Sequence, residues 1–176
     1  MGLIVVGVAD CQVSDNRNHV LATYALGSCI AVAIHDRVAG VGGLLHFMLP
    51  ESDIDRCKAK SSPFMFADTG IPMLFRSLLE RGAEKRRLVV QVAGGARMMQ
   101  EHDALDIGKR NYLAVRRILW KAGVLIDREV VGGTVFRTLR LEVGSGKVWI
   151  REAGGGEREM RISRPRKGAE ECPSTH

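Results

Sequence analysis

A chain of 176 residues, 45% of them hydrophobic and carrying a formal charge of +6, has room for one domain with a real core. At this size about 70% of the unfolded surface is buried, and a second domain is not expected. No apolar run reaches the roughly 18 residues that cross a bilayer, which argues against membrane insertion. The positive charge would draw an acidic partner, but the basic residues are dispersed and the aromatics few, so no nucleic acid partner is expected.

Gly2 to Ala9 is an apolar run that stops at Asp10 and reads as a first strand. It lacks the basic start and small-residue cleavage site of a signal peptide. Val6 stands where a myristoylated Met-Gly start needs Ser or Thr. A cytoplasmic location is the expectation, and Cys11, Cys29, Cys57 and Cys172 should then be free thiols. Their spacing contains no CxxC pair. Zinc held by Cys29, His35 and His46 together is disfavoured, because His35 lies six residues along the same run as Cys29, about 20 Å away in extended chain. No metal and no cofactor are expected.

Cys11 to Asn18 reads as a polar loop leading to a strand from His19 to Leu26, in which Thr23 is a β-branched residue well suited to a sheet. Gly27 and Ser28 then allow a tight turn before Cys29, which opens the apolar run to Asp36. A third run, Val41 to Pro50, contains His46. Packing needs neither a thiol nor an imidazole in such runs, and a buried imidazole must find partners. On neighbouring strands the two suit nucleophilic catalysis by a thiolate, the His withdrawing the proton. A free thiol titrates near about pKa 8.5 and a His partner lowers that by several units, so an ionised sulfur is expected. The turn would expose the sulfur and aim the Cys29 N–H at a substrate oxygen. On spacing alone, an inert small hydrophobe at Cys29 and a structural core His46 remain open alternatives.

Glu51 to Ser62 reads as a surface loop bordering the site. Asp68-Thr69-Gly70-Ile71-Pro72 opens a helix stopped by Gly82, with Asp68 or Thr69 as its N-cap. Arg87 to Ala93 is a buried strand ending in Gly94-Gly95, a pair that lets backbones approach closely. Asn111 caps a helix from Tyr112 to Ala122, closed by Gly123. Val124 to Val131 and Thr134 to Val143 are strands, and Gly144-Ser145-Gly146 turns the second into a hairpin with Lys147 to Glu152. These segments make residues 1–152 one domain. Residues 153–176, rich in Gly, Pro and charge, are expected to be a disordered tail.

Thr23 with Gly27-Ser28-Cys29, Gly42-Gly43-Leu44 with His46 and Leu49-Pro50, Ala67 to Pro72, Gly94-Gly95-Ala96, and Ile107-Gly108 with Arg110-Asn111 occur in this order. Individually weak, these blocks jointly resemble the CheD family of chemoreceptor glutamine deamidases, over roughly residues 3 to 150. Phe136-Arg137 departs from a Gly-Arg pair usual in that family. The resemblance implies an α+β fold of mixed β-sheets layered with outer helices, similar to the catalytic domains of deamidating toxins of the cytotoxic necrotizing factor type. It implies Cys29 as nucleophile, His46 as general base and acid, and Thr23 as the residue that orients His46, through its hydroxyl or its carbonyl. Gly27, Ser28 and Asp68 become candidate substrate-binding residues. The implied reaction is hydrolysis of glutamine side chains of methyl-accepting chemotaxis receptors to glutamate, through a thioester, with receptor methylesterase as a side activity. A non-catalytic adaptor that binds a CheC-type response-regulator phosphatase is the alternative.

Overall fold

The structure, a computed structural model, describes residues 2–97 and 106–162. Ten strands form, β1 Gly2–Val5, β2 Asp10–Ser14, β3 His19–Leu26, β4 Ile30–Asp36, β5 Val41–Phe47, β6 Val89–Gly94, β7 Arg128–Val131, β8 Arg137–Glu142, β9 Val148–Glu152 and β10 Glu157–Glu159. Three α-helices accompany them, α1 Arg56–Ser61, α2 Ala67–Leu79 and α3 Ile107–Lys121. The strands build two five-stranded sheets, ordered β1-β3-β8-β9-β10 and β2-β5-β4-β6-β7. Each sheet is mixed. β1 runs parallel to β3 and β6 parallel to β7, while the other neighbours are antiparallel.

β4 shows why the sheets stack as they do. Its even positions, Ile30, Val32 and Ile34, join a core with Ile71, Leu74, Leu78, Val115 and Leu119 from α2 and α3. Its odd positions, Ala31 and Ala33, face Leu21, Leu139, Leu141 and Ile150 of the other sheet. Branched side chains fill the space under the helices, and alanines let the two sheets approach. Every residue of β4 and β5 is consequently buried, and a continuous apolar run is the mark of a strand covered on both faces. Each large side chain so covered contributes about 1.5–3 kcal/mol. The result is a three-layer α+β domain, with helices on one outer side, a central sheet and a second sheet.

The loop after β4 is held by Asp36, whose buried carboxylate accepts from the backbone N–H of Val38, Ala39 and Glu84 and from the Arg87 guanidinium. Burial pushes this carboxyl up, but the Arg87 and N–H bonds outweigh it and hold it below its usual range.

Five expectations are corrected. Glu51 to Ser62 is not all loop: α1 forms there, capped by the Asp55 carboxylate, which accepts from the Lys58 N–H. Cys11 to Asn18 is not all loop: β2 pairs antiparallel with β5, and Cys11 and Val13 pack toward the helix-side core. Phe66, not Asp68 or Thr69, is the N-cap of α2, and Pro72 sits within that helix. α3 starts at Ile107, capped by Asp106, whose carboxylate accepts from the Lys109 N–H, so Asn111 is not a cap. The chain stays ordered beyond residue 153: β10 pairs with β9, and Met160 is buried between the sheets. The rest of the expected tail, with Cys172, lies outside the described residues.

Candidate active site

His46 stands on β5 opposite Ala31 of β4. Side chains alternate along a strand, so His46 shares the inter-sheet face with Leu44 and Ala31. Cys29 lies two residues before Ala31, in the bend that precedes β4. It packs against the Ala31, Ala33 and Leu44 cluster and is only half-buried. Cys29 therefore lies on the inter-sheet side of the central sheet, in the bend that leads into the strand paired with that of His46. Thr23 comes from β3 of the other sheet, directly above. Its Oγ1 lies 2.8 Å from His46 Nδ1, and both residues are buried. The hydroxyl, not the carbonyl, is the group that meets the ring.

Among the described residues, His46 Nε2 is buried and has no hydrogen-bond partner. Burial lowers the His46 pKa from 6.5 to about 4. The ring is neutral at pH 7 because burial penalises its charged form. The expected imidazolium, steadying a preformed thiolate, is thus disfavoured in the resting site; the geometry suits a neutral base that takes a proton during attack.

Just after Thr23 the pairing of β3 with β8 shifts register, and Ala25 adopts a left-handed φ of 55°. This irregularity carries the chain into the Gly27-Ser28-Cys29 turn. Three successive carbonyls of that turn are tied down by three donors. Gly27 O accepts from the Ala96 N–H at 2.8 Å and Cys29 O from the Gly95 N–H at 2.8 Å. Ser28 O accepts from Asn111 Nδ2 at 3.0 Å. Gly94 has a φ of +113°, and a Cβ there would sit 2.2 Å from Cys29 O. The Gly-Gly pair therefore does what its sequence suggested, and lets one backbone lie against another.

Asn111 is the residue that sequence reasoning misassigned. It is fully buried on the inner face of α3, and its Nδ2 also donates to Met48 O, at 2.7 Å. One amide thus joins the turn before β4 to the end of β5. The signal was present: an Asn three and four residues before Ala114 and Val115 lies on the apolar stripe of its helix.

Gly27 is buried and Ser28 half-buried beside the sulfur. Asp68 is separate from them. Its carboxylate accepts from the Ser52 N–H at 2.9 Å and from Ser52 Oγ at 2.7 Å, fastening the chain after β5 to α2. His35 is separate too. Its Nε2 meets Val143 O at 2.8 Å and its ring lies against Gly146. It lies four positions along β4 from Ala31, the partner of His46, which is about 13 Å of strand. A cavity of about 590 Å³ between α2 and α3, lined by Ile71, Phe75, Leu79 and Ile118, contains none of Thr23, Cys29 and His46. Among the described residues no helix is long and apolar enough to cross a membrane.

Comparison with known proteins bears on this arrangement. Residues 48–152 match the family described as CheD chemotactic sensory transduction. A protein of Solibacter usitatus, named "Probable chemoreceptor glutamine deamidase CheD", is 55% identical over 168 residues, covering 96% of this chain and 99% of that protein. One of Syntrophus aciditrophicus, named "Probable chemoreceptor glutamine deamidase CheD 1", is 49% identical over 160 residues, covering 91% of this chain and 100% of its own. A solved Neisseria meningitidis protein of the family DUF152 has a TM-score of 0.44 at 14% identity, covering 76% of this chain and 64% of its own, a likeness too low to argue from. A match that spans the folded chain almost end to end, at more than half identity to one relative, means that the chain belongs to the CheD family.

Proposed function

We propose that this protein is a protein-glutamine glutaminase that deamidates specific glutamine side chains of methyl-accepting chemotaxis receptors. The observation that carries the reading is a neutral, buried imidazole. Thr23 fixes one of its nitrogens and the other is unpartnered, on the face shared with a half-exposed thiol. With Nδ1–H donating to Thr23 Oγ1, Nε2 keeps its lone pair for the thiol proton. The relatives' printed names supply the substrate class.

The steps follow from those roles. Cys29 Sγ attacks the carboxamide carbon while His46 Nε2 takes the thiol proton, and the carbonyl oxygen becomes an oxyanion held by the Cys29 N–H. The C–N bond then breaks as His46 returns that proton to the leaving nitrogen, so ammonia departs and a thioester remains. Water attacks the thioester and gives its proton to Nε2; the C–S bond breaks, the sulfur regains the proton, and glutamate is released. Gly27 and Ser28 shape the turn that presents the sulfur. Asp68 contributes through Ser52, by holding the segment after β5 that borders the site. The wider likeness to deamidating toxin domains is part of this proposal, as a likeness of fold and not of substrate.

A glutamate methyl ester would pass through the same thioester, so methylesterase activity accompanies the proposal. The adaptor reading, in which the chain binds a CheC-type phosphatase, uses the surface and not the sulfur. Mass spectrometry of purified receptor cytoplasmic fragments incubated with the protein tests the main reading. Amide should be replaced by acid at specific glutamines, and Cys29→Ala should abolish this. Equal deamidation by Cys29→Ala overturns the mechanism, whereas binding of a CheC-type protein that survives Cys29→Ala supports the adaptor role alongside it.

A further inference from the structure

Resting on the deamidase reading, we infer that Asn111 is the positioning residue of the oxyanion-binding N–H. A trans peptide is planar, so the carbonyl of Ser28 and the N–H of Cys29 belong to one rigid plane and point in opposite directions. Asn111 reaches that plane from α3, on the helix side of the central sheet, and its Nδ2 draws the Ser28 carbonyl toward the helix. The Cys29 N–H is thereby turned away from the helices, toward the inter-sheet side on which the Cys29 sulfur and His46 lie. An oxyanion formed on a carbon bonded to that sulfur meets this N–H.

The same amide group also holds the end of β5. Its second proton goes to Met48 O, two residues beyond His46. One side chain, with both donors used, thus ties the Ser28–Cys29 peptide plane to the end of β5, while the imidazole is held by Thr23 and the Cys29 carbonyl by Gly95. The amide orientation is fixed by these acceptors, since the reversed group would set an oxygen against two carbonyl oxygens. Among the described residues its Oδ1 is buried without a partner, so the bonds through Nδ2 are what the residue contributes. Gly95 and Ala96 hold the flanking carbonyls of Cys29 and Gly27, which leaves the Ser28–Cys29 plane as the one controlled by a replaceable side chain.

The test separates this role from a general structural one. Alkylation of Cys29 by iodoacetamide needs a placed, accessible sulfur but no oxyanion site, while deamidation needs both. Asn111→Ala, with Asn111→Leu as a variant that keeps the volume, is measured for kcat and KM on receptor fragments, for Cys29 alkylation rate, and for Tm. The expected result is a fall in kcat of about 10²–10³-fold, the loss typical of one oxyanion donor. KM and alkylation rate should stay within about twofold of the unmodified protein, since neither depends on oxyanion contact. A kcat within about threefold of the unmodified protein in a folded variant overturns the inference, because an oxyanion donor is worth far more. A parallel fall of alkylation and kcat also overturns it, leaving Asn111 as a fold residue. Deamidation that survives Cys29→Ala sinks the underlying enzyme reading instead, and is seen in a different protein.

Discussion

Thr23 Oγ1 and His46 Nδ1 lie 2.8 Å apart, joining two sheets through residues 23 positions apart in the chain. The bond chooses the ring tautomer as well as its direction. With Nδ1 engaged by the hydroxyl, only Nε2 is left to exchange protons with the sulfur. Thr23→Val keeps the shape and removes the acceptor, which leaves a buried N–H unsatisfied at about 1–3 kcal/mol. Deamidation should fall by about 10²-fold in kcat, the low end of what a placed acid–base group supplies. Thr23→Ser should retain most of the activity. Steady-state kinetics on receptor fragments checks both, and equal rates for Thr23→Val and the unmodified protein would remove the hydroxyl from the mechanism.

Burial of His46 also makes stability depend on pH. Its pKa is about 4 when folded and 6.5 otherwise. Above pH 6.5 neither state binds the proton, and the full stability is present. As pH falls from 6.5 toward 4 the unfolded chain takes up a proton that the native site refuses, so stability is lost across that window. The loss from this residue is about 3 kcal/mol at the low end. Burial of His35 acts in the same direction. Urea unfolding at pH 7 and at pH 4.5 should show a marked drop for the unmodified protein and a smaller one for His46→Gln. Identical drops in the two would mean that His46 titrates normally in the folded chain.

Gly94 allows a third test. Its φ of +113° and the 2.2 Å approach of a built Cβ to Cys29 O leave no room for a side chain. Gly132 has a comparable positive φ of +76° with nothing within 4 Å. Gly132→Ala therefore reports backbone strain alone, about 1–3 kcal/mol. Gly94→Ala should cost more in thermal unfolding, because it also pushes the turn, and should reduce deamidation far more than Gly132→Ala does. Matching losses of activity would show that the turn does not depend on this contact.

The central sheet was legible because β4 and β5 are apolar at nearly every position, a pattern that few other environments produce. Cys29 and His46 stood out against that background, and Thr23 entered only through resemblance, since a threonine on a strand has an ordinary explanation. Asn111 was hidden for the opposite reason. Its role is a contact to two carbonyls far away in sequence, and carbonyls leave no trace in residue identity. β2 was lost because Cys11 and Val13 are a short alternation among polar residues, whose strand character comes from the edge of β5. The neutral state of His46 depends on how completely two sheets close over it, a property of the assembled layers alone.

The segment after β9 gives the last prediction. Gly154, Gly155, Gly156 and the surrounding charges read as disorder because local composition shows no reason to order them. In the fold the glycines make the turn into β10, and the Met160 N–H then donates to Val148 O at 2.8 Å. Its side chain enters the inter-sheet core beside Leu139, Leu141 and Ile150 at 1% exposure. Met160→Ala empties a core position and should cost about 2–5 kcal/mol, a fall in Tm of about 5–15 °C at this chain length. Deamidation at low temperature should be unchanged, since Met160 follows β10 at the far edge of its sheet, three strands along from β3 and Thr23. Differential scanning calorimetry decides the matter. If Met160→Ala melts with the unmodified protein, residues 157–160 do not hold the second sheet, and the composition-based expectation of disorder was the better guide.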